Sequence, residues 1–198
     1  RTEPGTTRRF TDRLKGPVEA EVDDFVTAGI DRMGSIDVLV NNAGATWGVP
    51  LAEHDSASWS RVLDLNVQGV FHTTKYFRDL LEAGSSAEDP ARVINIGSID
   101  GIHTPIMETF SYSASKAAVH QLTRHLAKHV APTITVNAIA PGPFESKMMA
   151  ATLDAVGDQI AASAPMKRIG RPDDMAGTAL FLASRAGSYL TGTVIPVD

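Results

Sequence analysis

Residues 36–44 read IDVLVNNAG: a short aliphatic run that stops in a turn of Asn, Ala and Gly. The run is nearly continuous rather than alternating, which suits a strand covered on both faces. Three further runs of the same kind follow: ARVINI (91–96), TITVNAIA (133–140) and TVIPV (193–197). Between them lie amphipathic helical segments. One covers 17–33 and starts with Pro17 at a first helical position. Another covers 55–83, with Asp55 as N-cap and Trp59, Val62, Leu63, Val67, Val70 and Phe71 near a 3.6-residue period. A third covers 111–130, through Ala114, Ala117, Ala118, Leu122 and Leu126, and a last one starts at Arg171, Pro172, Asp173 and Asp174. Strand–helix alternation predicts an α/β fold: a doubly wound parallel sheet with right-handed crossovers and helices on both faces, in three layers. Residues 1–16 are basic, contain Gly and Pro, and show no strand pattern, so they are expected to be a tail before one domain over 17–198.

Composition narrows the function classes. The chain has 198 residues, 43% of them hydrophobic, which is enough for one domain with a real core. A net charge of −5 argues against a nucleic-acid partner. With no cysteine, disulfides and thiolate metal sites are both excluded. No apolar run reaches the roughly 20 residues that span a bilayer, and no signal peptide pattern opens the chain. The expectation is a cytoplasmic protein without membrane partners.

Several residues could carry chemistry. NNAG (41–44) follows a strand at the carboxyl end, where parallel sheets bind ligands. Ala43 and Gly44 let a flat ligand approach the backbone, although Asn and Gly are also ordinary turn residues. Ser98, in INIGSIDG (94–101), stands just past the next strand and could hold a substrate oxygen or simply cap the turn. YSASK (112–116) places Tyr112 and Lys116 at i and i+4 near the start of a helix, on one face. An ammonium close to a phenol favours the phenolate, so Lys116 is expected to lower the Tyr112 pKa and make it a usable acid or base. Asn66 interrupts an apolar helix face in LDLNVQG, where it could satisfy a backbone group or hold a water.

Taken together, NNAG, LNVQG, IGS, YSASK, APG (140–142) and LTGTVIPVD resemble the short-chain dehydrogenase/reductase superfamily, in its order and near its spacings, from about Gly34 to Asp198. The resemblance implies a Rossmann-like oxidoreductase using a nicotinamide dinucleotide. It makes Tyr112 the acid/base and Ser98 the orienter of the reacting oxygen. Lys116 contacts the ribose as well as tuning the tyrosine, and Asn66 supports a proton relay. Tyr112, Lys116, Asn42, Ala43 and Gly44 then contact the ribose side of the cofactor, and Pro141, Gly142, Phe144 and Ser146 hold the carboxamide. NNAGATWG, EDPARVINIGSIDGI and SKAAVHQLTRHLAKH look like the NADP-linked 3-ketoacyl reductases of the rhamnolipid branch. That implies reduction of a 3-oxoacyl thioester by a homo-oligomer, a dimer or a homotetramer, built on the helices 55–83 and 111–130. A polyol or sugar-acid dehydrogenase, and a non-catalytic dinucleotide sensor, are the alternatives.

The family's opening strand and glycine-rich turn, TGxxxGxG, find no match among the sixteen glycines. The expectation is a piece of a longer enzyme, lacking the first βα units and ending where the family continues with Gly-Gly. IDVLV would then be an open apolar edge, and the chain by itself would bind dinucleotide poorly and be inactive. His125 and His129 have ligand spacing but no third partner, so no metal site is expected. Trp47, Met107, Phe144, Met148 and Met149 fall near the ligand loops, where they could line an acyl pocket or pack as a lid.

Overall fold

The computed structural model describes Thr27, residues 34–146 and residues 148–198. The expected tail at 1–16, and the helix at 17–33 apart from a helical Thr27, lie outside these residues. Four strands, β1 (Val38–Asn41), β2 (Ala91–Ile96), β3 (Ile134–Pro141) and β4 (Val194–Val197), form a parallel sheet in the order β1-β2-β3-β4. Their connections hold α1 (Ser56–Leu63), α2 (Gly69–Tyr76), α3 (Arg78–Ala83), α4 (Phe110–Val130), α5 (Ala150–Ser163) and α6 (Pro172–Ala183). The Rossmann-like α/β architecture is the one expected.

Local chemistry explains where the helices start. The Asp55 carboxylate accepts the Ser58 N–H at 2.8 Å, the N-cap read from the sequence. At α6, Pro172 takes the first position and Asp174 accepts the Arg171 N–H at 2.7 Å. The segment 55–83 is not one helix, however. It widens into a single π turn at Asp64–Gln68 and breaks again at Phe77, so its inner face drifts from a strict period. Asn66, Gly69, Val70, Thr74, Leu80 and Leu81 end up buried, whereas Phe71 is 41% exposed.

One face of the sheet, with Leu39, Val93 and Val136, packs against Phe77, Leu80 and Leu81 and against Ala127 and Val130 of α4. The opposite face, with Ile94 and Ile139, packs against Leu182 of α6. Burial of each such side chain contributes about 1.5–3 kcal/mol. β2 and β3 are therefore covered on both sides, as their apolar runs predict. β1 is not: Val38 and Val40 are 38% and 49% exposed, and among the described residues β1 pairs only with β2.

The layering corrects one expectation. The strands are added in one direction, yet the first two crossovers lie on one face and α6 lies on the other. Equal steps over opposite faces have opposite hands. Right-handed connections alone cannot build this sheet, and with the usual hand for the first two the β3–β4 crossover is left-handed.

Beneath the carboxyl ends of the strands runs a buried polar ladder. Asn41 Nδ2 donates to Thr74 Oγ1 at 3.2 Å and to Asn95 Oδ1 at 2.8 Å, and Asn95 Nδ2 donates to Thr123 Oγ1 at 2.9 Å. The two threonine hydroxyls end the chain on the Val70 and Val119 carbonyls, each at 2.8 Å. Asn41 thus belongs to β1 and to the interior, not to the turn after it.

Candidate active site

The described sheet delivers three segments to one rim. Asn42, Ala43 and Gly44 leave β1 exposed, Ser98 follows β2, and Pro141 to Ser146 continue from β3. The first turns of α4 stand over the same rim and bring Tyr112 and Lys116 to it.

Here the buried face of α4 differs from the one expected. Ser111, Ser115, Lys116, Val119, His120, Thr123, Ala127 and Val130 point inward, whereas Ala114 and Ala117 are exposed and Leu122 and Leu126 are half-buried. A helix that packs on a polar site buries polar residues, so its apolar stripe does not mark its inner side.

The Tyr112 and Ser98 side chains face each other closely enough for the serine hydroxyl to act on the phenol. Ser98 is buried, and its Oγ also accepts the Asp100 N–H at 3.1 Å, which fixes the serine at the head of a short turn, Ile99–Gly101. Lys116 is 5% exposed; its Nζ donates to the Ile96 carbonyl at 2.8 Å and lies 5.5 Å from the Tyr112 ring centroid. Tyrosine hydroxyl, serine hydroxyl and lysine amine therefore share one small volume.

Their electrostatics depart from the expected pattern. Burial pushes the Tyr112 phenol above its ordinary pKa; the Ser98 hydroxyl beside it lowers it in part, and the Asp100 carboxylate adds to the rise. The lysine does not produce the predicted net lowering, because its amine faces the ring and the Ile96 carbonyl. Burial instead brings the Lys116 amine down to about 8. Asp100 is itself raised by burial.

Asn66 occupies the π turn and is 1% exposed. Its Oδ1 accepts the Ala45 N–H at 2.8 Å, while its Nδ2 donates to the Ala45 carbonyl at 2.9 Å and to Ser115 Oγ at 2.9 Å. It ties the loop after β1 to α4. A Cβ placed on Gly44 would lie 3.5 Å from Asn66 Oδ1 and 3.7 Å from Lys116 Nζ, so the exposed turn stands directly beside the amine.

The 141–146 segment lies at the rim, but its side chains are engaged locally. Ser146 Oγ accepts the Met149 N–H at 3.2 Å, and the Phe144 ring covers Gly170, where a Cβ would fall 2.4 Å from it. The Asp198 carboxylate occupies the space over Gly142. A cavity of about 470 Å³ adjoins the cluster, lined among others by Ile99, Asp100, Ile106, Phe144, Ile160 and Met166. Trp47, Met107 and Met148 are 36%, 52% and 45% exposed. His125 and His129 stand with ring centroids 4.9 Å apart on the exposed side of α4.

Two residues at the site were not read from the sequence. Asp100 gave no signal. His120 did: it follows Tyr112 and Lys116 at the same i+4 step, on the same helix face.

Comparison with known proteins gives the geometry a context. A family model described as enoyl-(acyl carrier protein) reductase matches residues 18–198. A rhamnolipids biosynthesis 3-oxoacyl-(acyl-carrier-protein) reductase of Pseudomonas aeruginosa is 48% identical over 169 residues, covering 82% of this chain; the chain spans 65% of that protein's length. A galactitol 2-dehydrogenase of Rhizobium johnstonii is 38% identical over 90% of this chain and 70% of its own. Among solved structures, the Pseudomonas aeruginosa RhlG/NADP active-site complex superposes with a TM-score of 0.87 at 44% identity, covering 91% of this chain and 72% of that one.

Proposed function

The chain belongs to the short-chain dehydrogenase/reductase family, and on that premise we propose that it is part of an NADP-dependent oxidoreductase that reduces a ketone to a secondary alcohol, with a 3-oxoacyl thioester as substrate. One observation carries this reading: Tyr112, Ser98 and the buried Lys116 amine gather at the rim of the sheet, the amine 5.5 Å from the tyrosine ring and the serine close enough to act on the phenol.

The roles follow from the chemistry of the groups. Ser98 and Tyr112 both donate to the substrate carbonyl oxygen and hold it in place. With its pKa raised, Tyr112 rests as the phenol, which is the form needed to protonate an oxygen gaining negative charge. Lys116, an ammonium at neutral pH, stabilises the phenolate left behind. Asn66 holds the Ala45 backbone and Ser115, and so fixes the distance between α4 and the loop after β1.

The rim fits the ribose and nicotinamide end of a dinucleotide. Asn42, Ala43 and Gly44 are exposed, and a small residue at 44 leaves room between a flat ligand and the Lys116 amine. Tyr112 and Lys116 would hold the ribose there, and Pro141 and Gly142 would present backbone groups to the carboxamide. A nicotinamide cofactor held in this way would supply the hydride that reduces the carbonyl carbon.

Exposed apolar side chains near the loops, Ile106, Met107, Trp47 and Met148, favour a substrate with an aliphatic chain. The likeness to a galactitol dehydrogenase supports a second reading, oxidation of a polyol. Initial rates of NADPH oxidation with a 3-oxoacyl thioester, against NADP reduction with a polyol panel, separate them. Both are measured on the longer enzyme of which the chain is proposed to be part, since the sequence here holds no glycine-rich phosphate turn. Turnover on polyols with none on 3-oxoacyl thioesters would reverse the assignment.

A further inference from the structure

His120 is 3% exposed and lies one helical turn beyond Lys116, on the buried face of α4. Its ring fills the gap between the helix and the turn that carries Ser98. A Cβ on Gly97 would fall 2.2 Å from His120 Nε2, and one on Gly101 would fall 2.8 Å from Cε1. Glycine therefore flanks the serine on both sides of the ring. His120 Nε2 accepts the Ser98 N–H at 3.4 Å. A neutral imidazole that accepts at Nε2 carries its proton on Nδ1, and the Gly101 backbone packs against the same ring.

We propose that His120, as the neutral imidazole protonated on Nδ1, is the positioning residue of Ser98: it holds the 97–101 turn against α4 and so sets where the serine hydroxyl meets Tyr112. The role rests on the reading of Ser98 as the group that holds the substrate oxygen, but it is a separate claim about a separate contact. One ring is wedged between both ends of the turn, so the serine cannot shift along the helix without displacing it.

Protonation reverses this. An imidazolium has no acceptor, so the Ser98 N–H loses its partner when His120 gains a proton. The surroundings oppose that proton: burial first, then Arg124, with Lys116 adding to it, against the Gly101 backbone that favours it. The turn itself carries one titratable residue, Asp100, whose carboxylate acts on Tyr112, and from β3 the Ile139 carbonyl lies beside Gly97. The turn is thus held above the His120 pKa, which burial places below the ordinary value of 6.5, and is released as pH falls through it.

NMR on the full chain tests this without any substrate. Long-range proton–nitrogen spectra at neutral pH should show His120 as the Nδ1–H tautomer, and the Ser98 amide shift should titrate with the His120 midpoint. His120→Gln keeps a polar side chain that can meet the turn but does not titrate. In it the Ser98 inflection should vanish, with amide exchange within about threefold of the parent. In His120→Phe that exchange should rise by about tenfold or more. A merely structural ring would move exchange in the phenylalanine variant but would leave no pH inflection at Ser98. Failure of turnover on 3-oxoacyl thioesters would count against the functional reading and leave this coupling in place. A Ser98 amide with no inflection, or one that persists in His120→Gln, overturns the proposal.

Discussion

Asn66 grips Ala45 by both backbone groups: its Oδ1 takes the N–H at 2.8 Å and its Nδ2 gives to the carbonyl at 2.9 Å. One amide therefore substitutes for a strand neighbour at the loop beside the candidate ligand rim. Replacing Asn66 with Ala leaves both Ala45 groups and the Ser115 hydroxyl without that partner. A loss of about 2–3 kcal/mol in urea unfolding is expected. Asn66→Asp keeps only the acceptor half and should fall between the two.

Tyr112→Phe removes the proton and keeps the ring. In the longer enzyme of which this chain is proposed to be part, NADPH-dependent reduction of a 3-oxoacyl thioester should drop by about 10²–10⁴-fold while the circular dichroism spectrum is unchanged. Turnover within a few-fold of the parent would remove the tyrosine from its proposed role.

Lys116 makes stability depend on pH. Burial lowers its pKa from 10.5 to about 8, so above pH 8 the unfolded chain binds the proton more tightly than the folded one. Stability from this group must then rise with pH across about 8 to 10.5, by something on the order of 2–3 kcal/mol. Comparing urea midpoints at pH 7.5 and pH 10 measures it. In Lys116→Met the rise should disappear; a rise of the same size in that variant assigns it to another group.

A methyl on Gly101 has nowhere to go. It would fall 2.7 Å from the Lys116 carbonyl carbon and 2.7 Å from the Ala117 nitrogen, both backbone atoms of α4. Gly101→Ala should cost about 3 kcal/mol in unfolding free energy. Gly177, with no atom within 4 Å of the added carbon, lies inside α6, and Gly177→Ala should raise stability by about 0.5–1 kcal/mol.

Dinucleotide affinity is the fifth expectation. The sequence contains no TGxxxGxG pattern to cradle a pyrophosphate, so calorimetric titration of this chain with NADPH should give a Kd weaker than about 0.1 mM. Micromolar binding would mean that the rim residues hold the cofactor without such a turn.

The sequence made part of this legible for a physical reason: spacing fixes which side chains share a helix face or a sheet end. Tyr112, Lys116 and Ser98 could be placed together because one helical turn and one strand end leave little freedom. Asp55 and the Arg171–Asp174 start were readable because capping is local. The π turn at Asn66 was not, since one extra residue in a helix leaves the composition unchanged. The inner face of α4 was misread because apolar periodicity assumes an apolar neighbour, and its neighbour here is a polar site. The hand of the last crossover was hidden for another reason: it depends on which face α6 covers, a property of the assembled layers.

The chain of amides and hydroxyls from Thr74 through Asn41 and Asn95 to Thr123 also bears on how β1 finds its place. Sliding β1 by a single residue would turn Asn41 toward the other side of the sheet and strand Thr74 and Asn95 in a dry interior. Hydrophobic strands of four residues tolerate such slips easily; this one is penalised at once. The ladder thus works as a proofreading device that penalises out-of-step pairings of β1.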